Sequence, residues 1–238
     1  MTTPDHQPVS PTNHAYPMAD DGLGTLHPLL EPMVGRKTVV VGSAPLPADL
    51  PRQYIDSHEV VIRINNNLRG CKTDPDRYGW RTDLVFHCLG NIRPYHHGRH
   101  PHPIIFGQNP RYKQKNLLEQ PADAPILLPS FAFWDELSLR GFPRHPSTGI
   151  VALMYALRVL WCTRLSIVGF DFYRSGYDRA LTGIDPKRVI KKARHAHRPD
   201  QDLAALYRLY QAGRIPLIYP DKLEPPAGST LLDKSGGS

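Results

Sequence analysis

The chain has 238 residues, 40% of them hydrophobic and 21% charged, enough for one large domain whose core closes without a disulfide or metal staple; a coiled coil, a collagen-like rod and a wholly disordered chain are excluded. Twenty-nine basic against 22 acidic residues give a formal charge of +7, which favours anionic ligands: a phosphate, an acidic glycan or a nucleic acid. No apolar run reaches the roughly 18 residues of a membrane span, and the N-terminus lacks a basic-then-apolar leader, so neither a transmembrane segment nor a signal peptide is expected.

Residues 1–33 hold six of the 25 prolines and little periodicity, which predicts a disordered or loosely draped arm. It has no basic amphipathic face, although peripheral membrane contact is left open. One domain is expected over residues 34–228. Its strands are predicted at 38–41, 59–64, 83–89, 104–106, 126–128, 165–168 and 215–219, short β-branched or apolar runs mostly bounded by Gly, Pro or Asn. A helix over 147–162 carries Ile150, Leu153, Met154, Leu157, Leu160 and Trp161 at the spacing of one apolar face, with Ser147 or Thr148 as its cap. A second starts near Pro199, with Leu203, Leu206, Tyr207 and Tyr210 on one face, and stops at Gly213. Residues 229–238 read as a flexible tail. Strands alternating with helices imply an α/β fold, a mostly parallel sheet flanked by helices, with ligands beyond the carboxyl ends of the strands.

Four groups of residues could carry chemistry. His145-Pro146-Ser147-Thr148-Gly149 opens the long apolar helix, where unpaired N–H groups and the helix dipole suit an anion; a plain capping motif has the same composition. Gly42-Ser43, with Arg63 and Asn65 at the end of the next strand, would surface at one sheet edge and could meet a nucleotide, though Gly and Asn also serve turns. His197 sits among basic residues ahead of the second helix, which favours the neutral imidazole of a general base, and Asp202 could orient it. Lys187, Arg188, Lys191, Lys192 and Arg194 form a run without an acid, a candidate patch for acidic ligands.

Two metal patterns are present. Asp74-Pro75-Asp76 has the D-x-D spacing that can hold Mn²⁺ against a nucleotide diphosphate sugar, and a solvated turn fits it equally. The run from His96 to His102 lacks a helical i, i+4 pair and reads as a loop.

In their order these segments resemble the eukaryotic-type sialyltransferase family. The family's large motif is mirrored by Val39-Val40-Val41-Gly42-Ser43 and the string from Ile55 to Asn65. Its small motif is mirrored by His145 to Ile150 and on through Cys162 to Val168-Gly169-Phe170, its very short motif by His197 to Asp202. The resemblance spans about residues 38–215 and implies a Rossmann-like variant of the GT-A type. It also implies inverting transfer of an acidic sugar, sialic acid or Kdo, from a CMP-activated donor to a glycan or glycolipid, without a cofactor or an obligatory metal and without nucleic acid. His197 and Asp202 would then be catalytic, and Gly42, Ser43, Arg63, Asn65, His145, Ser147, Thr148, Gly149 and Gly169 would bind the donor.

Departures from the family pattern are Ser43 for its usual Asn, Asp202 for its Glu, and no recognisable His-Tyr motif between Phe170 and His197. Cys162 matches one partner of the disulfide found in secretory-pathway members, while Thr38 stands at the other. Three cysteines without a CxxC spacing fit the same reading, a cytoplasmic bacterial relative. The readings that compete are a metal-dependent transferase using Asp74 and Asp76 and a non-catalytic binder of anionic polymers.

Overall fold

The computed structural model describes residues 16–46, 48, 50–51, 53–67, 74–89, 102–112, 117, 126–172, 187, 190 and 198–213. Six strands are formed there: β1 (Lys37–Val41), β2 (Val60–Ile64), β3 (Leu84–His87), β4 (Ile104–Phe106), β5 (Ile126–Leu127) and β6 (Arg164–Val168). Each falls on a run expected from the sequence; the run at 215–219 lies outside the described residues. All pairings are parallel, in the order β5-β4-β3-β2-β1-β6. Because the pleat alternates side chains, a sheet covered on both faces needs nearly continuous apolar strands. Val40, Ile62, Phe86 and Ile105 enter one core cluster, while Val39, Val41 and Val61 enter another.

Four α-helices are described, α1 (Pro75–Tyr78), α2 (Phe131–Leu139), α3 (Thr148–Arg158) and α4 (Pro199–Gln211), besides two short 3₁₀ turns at Glu31–Met33 and Asn65–Asn67. The Ser147 hydroxyl caps α3 by accepting from Ile150 N–H. α3 packs across β1, β2 and β3, and its residues Thr148 to Ala156 are all buried. It is therefore a central helix rather than one with a single apolar face. It also ends earlier than predicted: Leu160 stays in the core, whereas Trp161, expected on the buried face, is 58% exposed. α4 follows the prediction, with Leu203 and Leu206 buried and Gly213 at φ +65° just beyond it. The sequence reading missed α2. Its signs were Ser130, whose hydroxyl accepts from Phe133 N–H, buried Phe133, Trp134 and Leu137, and Gly141 past its end.

Residues 16–33 correct the expectation of a loose arm. Met18 bridges in parallel to Leu128, and Ala19 and Leu30 are fully buried. The buried Asp20 carboxylate accepts from the Tyr155 hydroxyl at 3.1 Å and from Ser130 N–H at 3.3 Å. Burial, reinforced by Asp20, raises the Tyr155 hydroxyl's pKa and keeps it a donor. An aperiodic, Pro-rich stretch gives no secondary-structure signal, yet it closes the core beside β5 and α2.

Candidate ligand cleft

The strand order places the topological switch between β1 and β6, because from β1 the chain runs outward through β2 to β5 on one side and returns to β6 on the other. A crevice opens at such a point outside the carboxyl ends of the strands. Here it is open to solvent and lined by Gly42, Ser43, Ala44, Ile64, Asn65, Ser147, Thr148, Gly149, Gly169, Phe170, Asp171 and Phe172.

Its floor is two backbone turns in contact. Gly42 N–H donates to Val168 O at 2.8 Å and Ala44 N–H to Gly169 O at 3.0 Å. A Cβ on Gly42 would stand 2.1 Å from Gly169 O, and Gly169 itself has φ +68°. Only glycine suits either place, since a side chain would push the turns apart. Asn67 holds this floor by donating from Nδ2 to Gly42 O. In turn Asn67 Oδ1 accepts from Arg63 Nη1 at 3.1 Å.

One wall is the start of α3. The first N–H groups of a helix have no partner inside it and carry its positive dipole end. Ser147 N–H is already engaged, donating to Asp202 Oδ2 at 2.9 Å. Thr148 and Gly149, which both line the cleft, supply the next N–H groups. A Cβ on Gly149 would meet Phe170 Cε1 at 2.6 Å, so glycine here keeps room beside that ring. On the far side Asn65, at φ +50°, accepts Cys88 N–H through Oδ1 at 3.0 Å.

Asp202 is fully buried. Its Oδ1 has no hydrogen-bond partner among the described residues. Burial pushes its carboxyl up to about 7, against the bonds from Ser147 that favour the ionised form.

Of the residues expected from the sequence to form a donor site, Gly42, Ser43, Asn65, Ser147, Thr148, Gly149 and Gly169 come together in this one cleft. Arg63 does not. Fully buried on β2, its guanidinium donates to Thr82 Oγ1 and to the carbonyls of Tyr78, Gly79 and Arg81 as well as to Asn67. It fastens the α1 turn to the sheet instead of facing a ligand. His145 is not among the lining residues either; its ring meets Tyr112 edge-on at 5.4 Å. Asp74 caps α1 by accepting from Arg77 N–H, and neither it nor the exposed Asp76 reaches the cleft. Lys187 is exposed. His197, Arg188, Lys191, Lys192 and Arg194 lie outside the described residues. The sequence reading missed Asp171 and Phe172, which line the cleft only because β6 returns beside β1, a neighbourhood no local pattern reveals.

In the string from Ile55 to Asn65, Asp56 and His58 hold backbone and strand together, while Ile64 and Asn65 reach the cleft. Asp56 accepts Trp80 and Arg81 N–H at 2.8 and 3.0 Å. Buried His58 joins Tyr54 O at 2.9 Å to Ser166 Oγ at 2.8 Å.

The chain matches no protein-family model and no curated protein. Among solved structures it is similar to a mammalian sialyltransferase in complex with Gal-β-1-3GalNAc-ortho-nitrophenol, at 20% identity and a TM-score of 0.54 over 82% of this chain and 74% of that one. A second mammalian sialyltransferase structure gives 20% identity and 0.52 over the same shares. The sialyltransferase CstII from Campylobacter jejuni gives 17% and 0.49, over 76% of this chain and 79% of its own. The likeness to the mammalian enzymes is one of fold, an α/β sheet of GT-A-like type.

Proposed function

We propose that this chain is an inverting glycosyltransferase that moves an acidic sugar, sialic acid or Kdo, from its CMP-activated form to a hydroxyl of a glycan or glycolipid. The observation that carries this reading is the cleft at the β1/β6 switch, where two glycine turns and the anion-friendly start of α3 converge. Thr148 and Gly149 N–H at the positive end of α3 hold the phosphate, and the close-approach floor at Gly42 and Gly169 receives the nucleoside with Ser43 and Asn65. His197 takes the proton of the acceptor hydroxyl. The oxygen attacks the anomeric carbon, and the bond from that carbon to the phosphate oxygen breaks, its electron pair leaving with CMP. The negative charge that grows on the phosphate is met by the α3 N-terminus, so an obligatory cation is not required.

The pairing of His197 with Asp202 is carried over from the sequence resemblance, and one feature of Asp202 supports it. The open Oδ1 of Asp202 suits an imidazole N–H.

Calorimetric titration with CMP, CDP and UDP, in EDTA and again with Mn²⁺ at fixed salt, tests the reading. Selective CMP binding in EDTA is expected, followed by transfer from CMP-sialic acid or CMP-Kdo that His197→Ala abolishes while CMP still binds. Binding only of a diphosphate with Mn²⁺ overturns it in favour of Asp74 and Asp76. Turnover surviving in His197→Ala removes the proposed base.

A further inference from the structure

Beside the cleft, on the side of β4, lies a cluster of aromatic and guanidinium groups that the donor site does not use. Gly107, the residue after β4, abuts the start of α3 so closely that a Cβ there would stand 2.4 Å from Thr148 Cγ2. Five residues on, Tyr112 is 43% exposed. Arg144, which precedes His145 on the approach to α3, places its guanidinium carbon 3.9 Å from the Tyr112 ring centroid. His145 meets the same ring edge-on at 5.4 Å. The cluster is thus built from the segment after β4, whose Gly107 abuts the cleft residue Thr148, and the segment that leads into Ser147.

The two neighbouring arginines differ in one respect. Arg111 also lies over an aromatic ring, that of Phe131 at 4.5 Å, but its charge is matched by Asp135 at 2.6 Å. Arg144 is exposed and forms no ion pair among the described residues. A guanidinium carried on a ring keeps its planar fork of N–H donors, suited to a carboxylate or phosphate. An exposed tyrosine beside it offers an apolar ring and a hydroxyl to a sugar.

We propose that Tyr112 and Arg144, with His145 bracing the ring, form the acceptor subsite, and that it takes a saccharide bearing a carboxylate or a phosphate. This rests on the reading of the cleft as the donor site, since the acceptor must lie within reach of the bound sugar. At this cluster a plain sugar meets Tyr112 alone, whereas an anionic one engages the guanidinium as well.

The experiment uses the full chain at fixed low salt, titrated with galactose, galactose 6-phosphate, galacturonic acid and inorganic phosphate, with and without CMP. The two anionic saccharides are expected to bind about tenfold or more tightly than galactose, as charge-assisted hydrogen bonds at a partly exposed site allow. Arg144→Ala should erase that preference and leave CMP affinity at the wild-type value, Arg144→Glu should reverse it, and Tyr112→Ala should weaken all three sugars. A response to the phosphate sugar alone, or to the uronic acid alone, supports the subsite and names its anion. Equal binding of galactose, a preference that survives Arg144→Ala, or inorganic phosphate binding as well as galactose 6-phosphate overturns it. Failure of the wild type to bind CMP defeats the donor reading instead, and the titrations without CMP keep the two results apart.

Discussion

The carboxylate of Asp202, at the start of α4, accepts the backbone N–H of Ser147, at the start of α3, over 2.9 Å. Two helix N-termini therefore converge on one buried acid, where their positive ends favour its charge while burial opposes it. An ionised Asp202 also lowers the positive potential that α3 presents to an anion in the cleft. The acid and any bound phosphate share one helix end.

This relationship predicts a pH dependence. The folded value of about 7 lies above the ordinary 3.8, so the folded chain holds a proton that the unfolded chain releases between them. The carboxyl's contribution to stability is complete below about pH 4 and is lost as pH rises through 7. Urea unfolding of wild type and Asp202→Asn from pH 4 to 8 checks it: the wild type should lose stability relative to the variant across that range, and a constant difference would contradict the buried carboxyl.

The two glycine turns predict unequal costs. Gly42→Ala drives a Cβ against the Gly169 carbonyl, backbone that cannot swing aside, and should cost about 3 kcal/mol or more in denaturant unfolding. Gly149→Ala meets only the Phe170 ring, which can give. It should fold with a loss nearer 1 kcal/mol yet bind CMP far more weakly, because the ring moves into the cleft. Equal stability losses for the two would show that the turns are looser than this geometry.

For Arg63 the structure predicts a folding defect. Its buried guanidinium satisfies Asn67, Thr82 and three carbonyls, so Arg63→Met should destabilise by about 3 kcal/mol or more. Arg63→Lys should rescue little, a point charge being unable to span that fork. Loss of CMP affinity with unchanged unfolding midpoints would instead return Arg63 to the ligand site.

Asp20 tests the N-terminal segment. Asp20→Ala removes the acceptor of both the Tyr155 hydroxyl and Ser130 N–H and should cost about 1–3 kcal/mol, the penalty of leaving buried donors unpaired. Tyr155→Phe, which removes a donor together with its need, should cost less than Asp20→Ala. A neutral Asp20→Ala would leave the hold of residues 16–33 on the core to buried Ala19 and Leu30 and the Met18–Leu128 bridge.

Much of the fold was legible because its signals are local. In a sheet buried on both faces the apolar strand runs stand out, and Ser147 and Gly213 punctuate α3 and α4 by side-chain chemistry and φ alone. Most of the cleft was legible too, since Gly42-Ser43 and Ser147-Thr148-Gly149 are short strings at element ends. Arg63 and His145 stand beside those strings, yet their side chains turn to other partners, and a neighbour in sequence is not a neighbour in space.

By itself the sequence determined the element types, the parallel α/β class and the anion-friendly start of α3, because periodicity, capping and β-branching act within a few residues. Tertiary structure alone decided the strand order that puts β6 beside β1. That order brings Asp171 and Phe172 to the cleft, and the same closing of the chain sets Asp202 against Ser147, folds residues 16–33 onto the core and leaves Arg144 without an ion pair among the described residues. Each of these depends on contacts between segments tens of residues apart, whose energies exist only once the chain has closed.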